Sequence, residues 1–222
     1  FFLLLATIGV VSAQNPIPAE NALPGTPKTD WDSYDGDNIQ GFATKMSVNK
    51  GETVDFKINI NSPTPVSYTV QIYRVGYYQG NGARFIDDLG PSLTGQSQPV
   101  YNYESSTGKV DCSNWSVSAS WTVPSNAVSG VYFARLKCTA VNSSELVLFI
   151  VRDDASTSPL LIKTSDATWQ AYNYYGGNTY YAAATPVPGF THATKVSYQR
   201  PIHVRSNFSS FWNSEFPMVM WL

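Results

Sequence analysis

Residues 53–60 read Thr53-Val54-Asp55-Phe56-Lys57-Ile58-Asn59-Ile60. From Val54 onward, apolar side chains alternate with polar ones. Successive side chains of a β-strand point to opposite faces, so this period of two is typical of a strand with one buried face. The stretch therefore predicts a sheet whose inner side includes Phe56.

The same alternation recurs on both sides of this stretch. It appears in residues 68–72, 117–123 and 132–138, and residues 146–151 form a continuous apolar run. Residues 42–48 and 84–89 add two further segments. Turn signals such as Asn81-Gly82 separate them. About seven short strands in this arrangement are typical of an immunoglobulin-like or fibronectin-like β-sandwich. We expect an antiparallel sandwich over residues 38–153, with Trp121 inside.

The alternation of apolar and polar residues ends at a polar linker near residues 152–159. Residues 160–163 and 195–198 are predicted to be strands, and residues 166–172 a helix capped by Asp166 or Thr168. Residues 211–222 have helical spacing. This order is typical of the start of an α/β domain, and residues 158–222 are too few to complete one. The predicted architecture is thus multidomain and mostly β.

The N-terminal residues predict secretion. Residues 1–13 are an apolar run ending in Val11-Ser12-Ala13, which is typical of a secretory signal remnant and too short to span a bilayer. Residues 14–37 contain four prolines and are predicted to form an extended leader. At the other end the apolar pattern continues to Leu222 without a stop signal, and we expect a truncated chain.

Composition excludes several classes of protein. Only 14% of the 222 residues are charged, and aromatic residues are equally frequent, which excludes disorder and a coiled coil. The net charge of −2 comes without a basic face and argues against nucleic acid as a partner. Two cysteines and two histidines are too few for a metal site rich in these residues. In a secreted chain Cys112 and Cys138 could form a disulfide, and the alternative is two free core thiols.

The densest polar and aromatic stretch is residues 169–181, where five tyrosines flank Gly176-Gly177. Because ligands of open α/β sheets bind beyond the carboxyl ends of strands, this stretch is a candidate site lined by phenols and amides. Two alternatives stay open: a tyrosine-rich loop packed on the sandwich, or a platform for a sugar. The chain has no Gly-x-Ser-x-Gly sequence and no cysteine–histidine pair that indicates a hydrolase nucleophile.

Several blocks together resemble the large (beta) subunit of N,N-dimethylformamidase and its wider family. The most specific are Trp169-Gln170-Ala171-Tyr172-Asn173 and the block of residues 111–115, Asp-Cys-Ser-Asn-Trp. Others are residues 41–52, 73–78, 129–132, 151–154 and 195–201. The resemblance covers roughly residues 20–222.

The resemblance implies a β-sandwich followed by a glutamine-amidotransferase-like α/β domain. It also implies hydrolysis of a small amide at a single iron held by two tyrosines and a glutamate. Oxygen ligands of this kind suit a hard cation, which would activate water and polarise the carbonyl. Tyr172 and Tyr198 match the family's tyrosine blocks and are the candidate ligands, with Tyr180 in reserve. The glutamate is expected in a block beyond Leu222.

Four more residues near these tyrosines are candidates for the lining of the pocket: Trp169, Asn173, Tyr180 and Arg200. The leading hypothesis is an N-terminal fragment of a secreted, metal-dependent amidohydrolase that is inactive as truncated. The alternative is a non-catalytic extracellular module that binds a glycan or a protein through the tyrosine-rich loop.

Overall fold

A computed structural model describes residues 15–33, 36–202 and 210–222 of the chain. The predicted signal remnant, residues 1–13, lies outside the described residues. No helix in the described ranges has the length and apolar character needed to cross a membrane.

Two sheets dominate the structure. A smaller sheet has the strand order β1-β3-β9, and a larger one has the order β2-β11-β10-β4-β5, with β6 also paired to β4. Strands β7 and β8 form a separate hairpin. The strands are β1 (Ile39–Ala43), β2 (Ser47–Asn49), β3 (Thr53–Ile60), β4 (Val66–Val75), β5 (Ala83–Asp88), β6 (Leu93–Gly95), β7 (Asn102–Glu104), β8 (Lys109–Asp111), β9 (Ala119–Thr122), β10 (Gly130–Cys138) and β11 (Ser143–Arg152).

The alternation in β3 has the predicted consequence. Its apolar side chains are buried in one core with apolar side chains from the larger sheet, so the two sheets pack face to face. Phe56 meets Phe149 edge to face at 5.6 Å between ring centroids. Trp121 is also buried there, and its indole N–H donates to Asp87 Oδ2 at 2.9 Å. The mostly β fold and the inward positions of Phe56 and Trp121 agree with the prediction.

One strand pair departs from the expected antiparallel arrangement. β2 pairs with β11 in parallel, with Val48 opposite Val151. The chain leaves β1 in the smaller sheet and crosses to the larger sheet through residues 44–46. β2 is at the edge of the larger sheet, so this parallel pairing involves β11 alone.

A second core covers the outer face of the larger sheet. Phe133 and Leu148 point away from the sandwich core and pack against the indoles of Trp31, Trp169 and Trp212. A strand that is buried on both faces has apolar side chains at successive positions, which explains why residues 146–151 form a continuous apolar run. The helices that contribute these indoles are α2 (Lys28–Trp31), α3 (Asp166–Tyr172) and α4 (Phe211–Ser214).

The predicted extended leader is instead folded and docked. Residues 15–33 form α1 (Pro16–Asn21) and α2, and the Asn15 side chain caps α1. Glu20 forms an ion pair with Arg84 at 2.6 Å. Proline is tolerated in the first turn of a helix, where its missing N–H has no partner to lose, so a proline-rich stretch can still begin a short helix.

The expected start of an α/β domain is also not what the structure contains. Helix α3 has the predicted bounds, although Ser165 rather than Asp166 or Thr168 is at its N-cap. Residues 160–163 and 195–198 are not strands, and Leu161 is 90% exposed. Within the described residues no neighbouring strand pairs with either segment, and a strand without a partner leaves its backbone hydrogen bonds unmade.

The final segment is helical as its spacing predicted, but it is divided in two. Helix α4 ends at Ser214, and α5 (Phe216–Trp221) begins directly after Glu215. Pro217 cannot donate a backbone hydrogen bond, so it favours the first turn of a new helix. Both helices contribute side chains to the outer core.

Replacement of Trp31 by alanine tests whether residues 15–33 are part of the folded body. Trp31 is 0% exposed, and its indole stacks on that of Trp212 at 5.4 Å. We expect Trp31→Ala to lower the free energy of unfolding by about 3–5 kcal/mol, because it leaves a cavity. Chemical denaturation monitored by circular dichroism measures the change.

Trp221→Ala is the matched control. Trp221 is 80% exposed, so its loss should change the free energy of unfolding by about 0.5 kcal/mol or less. Equal effects of the two substitutions would contradict the docked position of the leader.

Candidate functional site

Helix α3 is held in place by a carboxylate from the junction of α4 and α5. Glu215 accepts hydrogen bonds from the Trp169 indole N–H (2.7 Å) and from the backbone N–H of Ser165 (3.3 Å). It also accepts one from the Ser165 hydroxyl. The first N–H groups of a helix have no partner within it, and Glu215 accepts from one of those at the start of α3, the N–H of the N-cap Ser165. Residues 165–172 are therefore fixed by a contact with the last helices.

A small pocket lies between α3, the segment of residues 198–202 and the sandwich. Its polar wall is formed by Gln170, Tyr198 and Arg200, and Trp169 lies beside them. Side chains of β1 and β11, including Phe42 and Leu148, form the opposite, apolar wall. The pocket therefore offers a few polar groups in mainly apolar surroundings, as small-molecule sites do.

Tyr198 is at the pocket and is held by a carboxylate. Its hydroxyl donates to Asp166 Oδ2 at 2.9 Å. Burial raises the pKa of Tyr198 to about 12, and the hydrogen bond to Asp166 acts in the same direction. Tyr198 is therefore a neutral phenol at neutral pH in the metal-free protein.

Tyr172, the other candidate ligand, has a different neighbour. Its ring stacks on that of Tyr181 at 4.4 Å between centroids. The hydrogen bond between the two hydroxyls raises the pKa of Tyr172. Tyr172 is not among the residues that line the pocket. The structure thus brings Tyr198 to the pocket and leaves Tyr172 in a separate stack.

The other candidate lining residues divide in the same way. Trp169 and Arg200 line the pocket. Asn173 is buried, and its amide donates to the carbonyl oxygen of Pro201 at 2.9 Å, so it joins α3 to the 198–202 segment. Tyr180 is exposed. Its electrostatic effect raises the pKa of Tyr198, and its backbone N–H donates to the carbonyl oxygen of Ala171.

Arg200 is the most buried of these groups, with 1% of its surface exposed. Its Nη1 donates to the carbonyl oxygens of Tyr175 (3.2 Å) and Asn178 (3.1 Å), and its Nη2 donates to that of Gln170 (3.3 Å). Burial lowers the pKa of Arg200 to about 10. The guanidinium is still charged at neutral pH, and it anchors the tyrosine-rich loop through backbone oxygens.

Sequence reasoning missed the functional position of three residues: Asp166, Gln170 and Glu215. Asp166 was considered only as a helix cap, and Gln170 only as part of a family block. The sequence does indicate a second role for Asp166, because a carboxylate in the first turn of a helix can also accept hydrogen bonds from groups outside the helix. Nothing in the sequence indicates that Glu215 reaches α3. Within residues 15–33, 36–202 and 210–222, no cluster of three or more histidine, cysteine or acidic side chains could hold a metal.

The two cysteines do not form the disulfide considered above. Both are buried free thiols, and they belong to different clusters. Cys112 packs with Phe42 and Trp115, whereas Cys138 lies in the core between the two sheets. Burial raises the pKa of Cys112 to about 12. The open alternative, two free core thiols, is the one found in the structure.

The family of the chain follows from its sequence match. The family model for the C-terminal part of N,N-dimethylformamidase beta subunit-like proteins matches residues 69–222, well over half of the chain. The chain belongs to the N,N-dimethylformamidase beta subunit-like family. The matched residues include the polar wall of the pocket and the Asp166–Tyr198 pair, whereas Phe42 and the other lining residues of β1 lie outside the match. In this dimethylformamidase-like chain, the blocks from residue 73 onward lie within the matched range, and the block of residues 41–52 lies outside it.

Other comparisons add little. No curated protein matches the chain. One solved structure that resembles it is the alkylpurine DNA glycosylase AlkC of Pseudomonas fluorescens bound to DNA containing an abasic site analogue. That match has 12% identity and a TM-score of 0.29, and it covers 53% of this chain and 31% of that one. A chimeric titin Z1Z2 tandem has 18% identity and a TM-score of 0.24, with 53% and 52% covered. The chain thus spans about a third and about half of these two proteins, and such low TM-scores carry no argument.

Thiol reactivity distinguishes free thiols from a disulfide. We expect an aromatic disulfide reagent at pH 8 to modify neither cysteine in the native protein, because both side chains are buried and only thiolates react. After denaturation without a reductant, both should react. A denatured protein with no reactive thiol would mean that Cys112 and Cys138 are paired in solution.

Proposed function

We propose that this dimethylformamidase-like protein serves the hydrolysis of a small amide by metal-activated water, as part of a longer, secreted chain. The observation that carries the proposal is the family match over residues 69–222, which includes the polar wall of the pocket. The finer assignments of metal and ligands rest on the chemistry of the pocket, and the experiment below tests them.

The pocket is suited to a small uncharged amide. Its apolar wall, with Phe42 and Leu148, can accept alkyl groups on the amide nitrogen. Its polar wall is formed by Gln170, Tyr198 and Arg200, and a few polar groups suffice to orient a small ligand. Trp169 lies beside these groups and is fixed by Glu215, so its ring can act as a rigid boundary of the site.

A hard cation beside the pocket would fit the oxygens of Tyr198 and Asp166 better than those of Tyr198 and Tyr172. Neighbouring ligands in an octahedron with metal–oxygen distances of about 2.1 Å are about 3 Å apart. The Tyr198 and Asp166 oxygens are already 2.9 Å apart, whereas Tyr172 is engaged with Tyr181. We therefore place Asp166 beside Tyr198 as an iron ligand, with further ligands expected beyond Leu222.

Iron bound there would act as a Lewis acid and lower the pKa of a bound water. The chain's own residues would prepare the site. Phenols lose their proton near pH 10, so Tyr198 must lose its proton to bind as a phenolate. Asp166 Oδ2 accepts the hydrogen bond from that hydroxyl in the metal-free protein, and because carboxylate ligands bind deprotonated, the proton would pass on to solvent when both oxygens bind the metal.

Visible absorption and iron content test this ligand assignment. Tyrosinate bound to Fe(III) absorbs visible light, so the iron-loaded full-length protein should be coloured. We expect Tyr198→Phe to lose the band and Asp166→Asn to lower the iron content at least about tenfold, as the loss of a metal ligand does. Tyr172→Phe should keep both, and amide hydrolysis is assayed on the same samples.

One outcome would contradict the proposed metal ligands, and another would contradict the proposed reaction. Loss of band and iron in Tyr172→Phe, with both retained in Asp166→Asn, would restore the original pair of tyrosine ligands. A full-length protein that hydrolyses no small amide in the presence of iron would remove the proposed reaction.

A specific observation favours a second candidate, a module that binds glycans. The tyrosine-rich loop presents four exposed phenols, and two of them form the Tyr172–Tyr181 stack. Exposed aromatic rings that present a flat face are suited to stacking against a sugar ring, because they combine apolar area with a polar tip. The other two exposed phenols are Tyr174 and Tyr180.

Binding of soluble oligosaccharides tests this second candidate. If the loop binds sugars, Tyr181→Ala and Tyr174→Ala should each weaken binding by about 1 kcal/mol, which is the order of magnitude of one aromatic contact. Tyr77→Ala is the matched control, because Tyr77 is also exposed but lies between β4 and β5. Equal losses in all three variants, or no binding by the wild type, would exclude the loop as a sugar platform.

A further inference from the structure

Two exposed tyrosines at the end of α3 form an unusually close pair. The rings of Tyr172 and Tyr181 stack with 4.4 Å between their centroids and 25° between their planes. Aromatic pairs generally have centroids about 4.5–7 Å apart, so these rings are as close as stacking allows. A hydrogen bond also joins the two hydroxyls, so both phenols point the same way. The ring carbons next to the two hydroxyls therefore lie close to each other.

The backbone on both sides of this pair is held by the fold. The backbone N–H of Tyr180 donates to the carbonyl oxygen of Ala171 at 3.1 Å, which joins the two ends of the loop of residues 172–181. The hydroxyl of Thr179 accepts a hydrogen bond from the backbone N–H of Tyr181 at 3.0 Å, and Thr179 is itself buried. The contact between the two rings is thus set by the path of the backbone and not by the exposed side chains alone.

A second pair of tyrosines in the same structure provides a comparison. The rings of Tyr101 and Tyr175 are also in contact, but their centroids are 6.2 Å apart and their planes are 70° apart. The hydroxyl of Tyr175 forms its hydrogen bond with the thiol of Cys112 rather than with the other phenol. This edge-to-face pair therefore lacks both the parallel rings and the contact between hydroxyls that the exposed pair has.

We propose that Tyr172 and Tyr181 are a site of oxidative cross-linking, at which the two phenols couple to form dityrosine. Each phenol loses one electron and its hydroxyl proton, and the two radicals form a bond between the carbons next to the hydroxyls. The hydrogens on these two carbons move to the oxygens, so the pair loses two hydrogen atoms in total. The oxidant is hydrogen peroxide used by a haem peroxidase, and the peroxide takes up both electrons and both protons to form two waters. Reacting groups that are held in contact couple far faster than groups that must first meet by diffusion.

The cross-link would close the tyrosine-rich loop of residues 172–181 with a covalent bond. A covalent link between two parts of a chain stabilises the folded state by restricting the unfolded chain, as a disulfide does. Arg200 already holds this loop through the carbonyl oxygens of Tyr175 and Asn178. The link would add a second attachment, between the loop and the last residue of α3. The cross-linking site depends neither on the proposed amide hydrolysis nor on bound iron.

Mild oxidation of the folded, iron-free chain followed by peptide mapping tests this site. The protein is treated in dilute solution with a haem peroxidase and one equivalent of hydrogen peroxide, and it is then digested with trypsin. We expect blue dityrosine fluorescence and the loss of two hydrogen atoms from the peptide of residues 164–195, which contains both tyrosines. Breakage of its backbone between positions 172 and 181 should release no fragment. A link between Tyr101 and Tyr175 would instead join this peptide to that of residues 85–109.

Conservative variants identify the two partners. Tyr172→Phe and Tyr181→Phe keep an aromatic ring and lose the phenol, so each should lower the yield of dityrosine at least about tenfold. Tyr174→Phe is the matched control and should keep the wild-type yield. Tyr174 is also exposed and lies in the same loop, but the stacked pair does not include it. Dilution of the wild type should leave the yield unchanged, because the coupling takes place within one chain.

Three results would overturn the cross-linking site. They are an oxidised wild type without dityrosine in the peptide of residues 164–195, a yield that rises with protein concentration, and equal losses in all three phenylalanine variants. The peptide map of the wild type decides the question even if a variant does not fold. Amide hydrolysis without this cross-link would remove the cross-linking site alone, and the cross-link without hydrolysis in the full-length protein would remove only the proposed reaction.

Discussion

The structure depends on one constraint: the central strands of the larger sheet are apolar on both faces. Phe149 points into the sandwich and Leu148 points away from it, so neither face of β11 can be left to water. The smaller sheet covers the inner face. The outer face is covered by helices from the two ends of the described chain, and their indoles do most of the packing. Residues 15–33, 166–202 and 210–222 are thus parts of the same folded body rather than attachments to it.

This covering layer also positions the candidate site. Trp169 belongs to the outer core and is held by Glu215, so the rest of α3 takes its position from the packing. Asp166 then lies at the start of α3 opposite Tyr198, and Gln170 and Arg200 complete the polar wall. Because the sheet and helices on both sides of the pocket are packed, its polar groups are fixed before any ligand arrives, and such preorganisation favours binding and catalysis.

The sequence predicted the strands well and the later elements less well. The alternation in β3 is a local signal, and it identified the buried face of Phe56 correctly. Trp169 and Arg200, which the family blocks contain, both line the pocket. The predicted strand of residues 160–163 failed, because an apolar run becomes a strand only beside a partner. Tyr172 contacts Tyr181, and Tyr198 contacts Asp166, because the loops that follow α3 fold back against it. The spacing of residues in the sequence does not predict the path of such loops.

The stacking of Trp31 on Trp212 has a consequence for the synthesis of the chain. Trp31 is made long before Trp212, so the outer face of the sheet cannot be fully covered until α4 has left the ribosome. At about 5–20 residues per second, the completed β11 waits for several seconds with its outer apolar side chains in water. During that interval the nascent protein presents the kind of surface that chaperones bind, and its escape from aggregation depends on the speed of translation through residues 153–210.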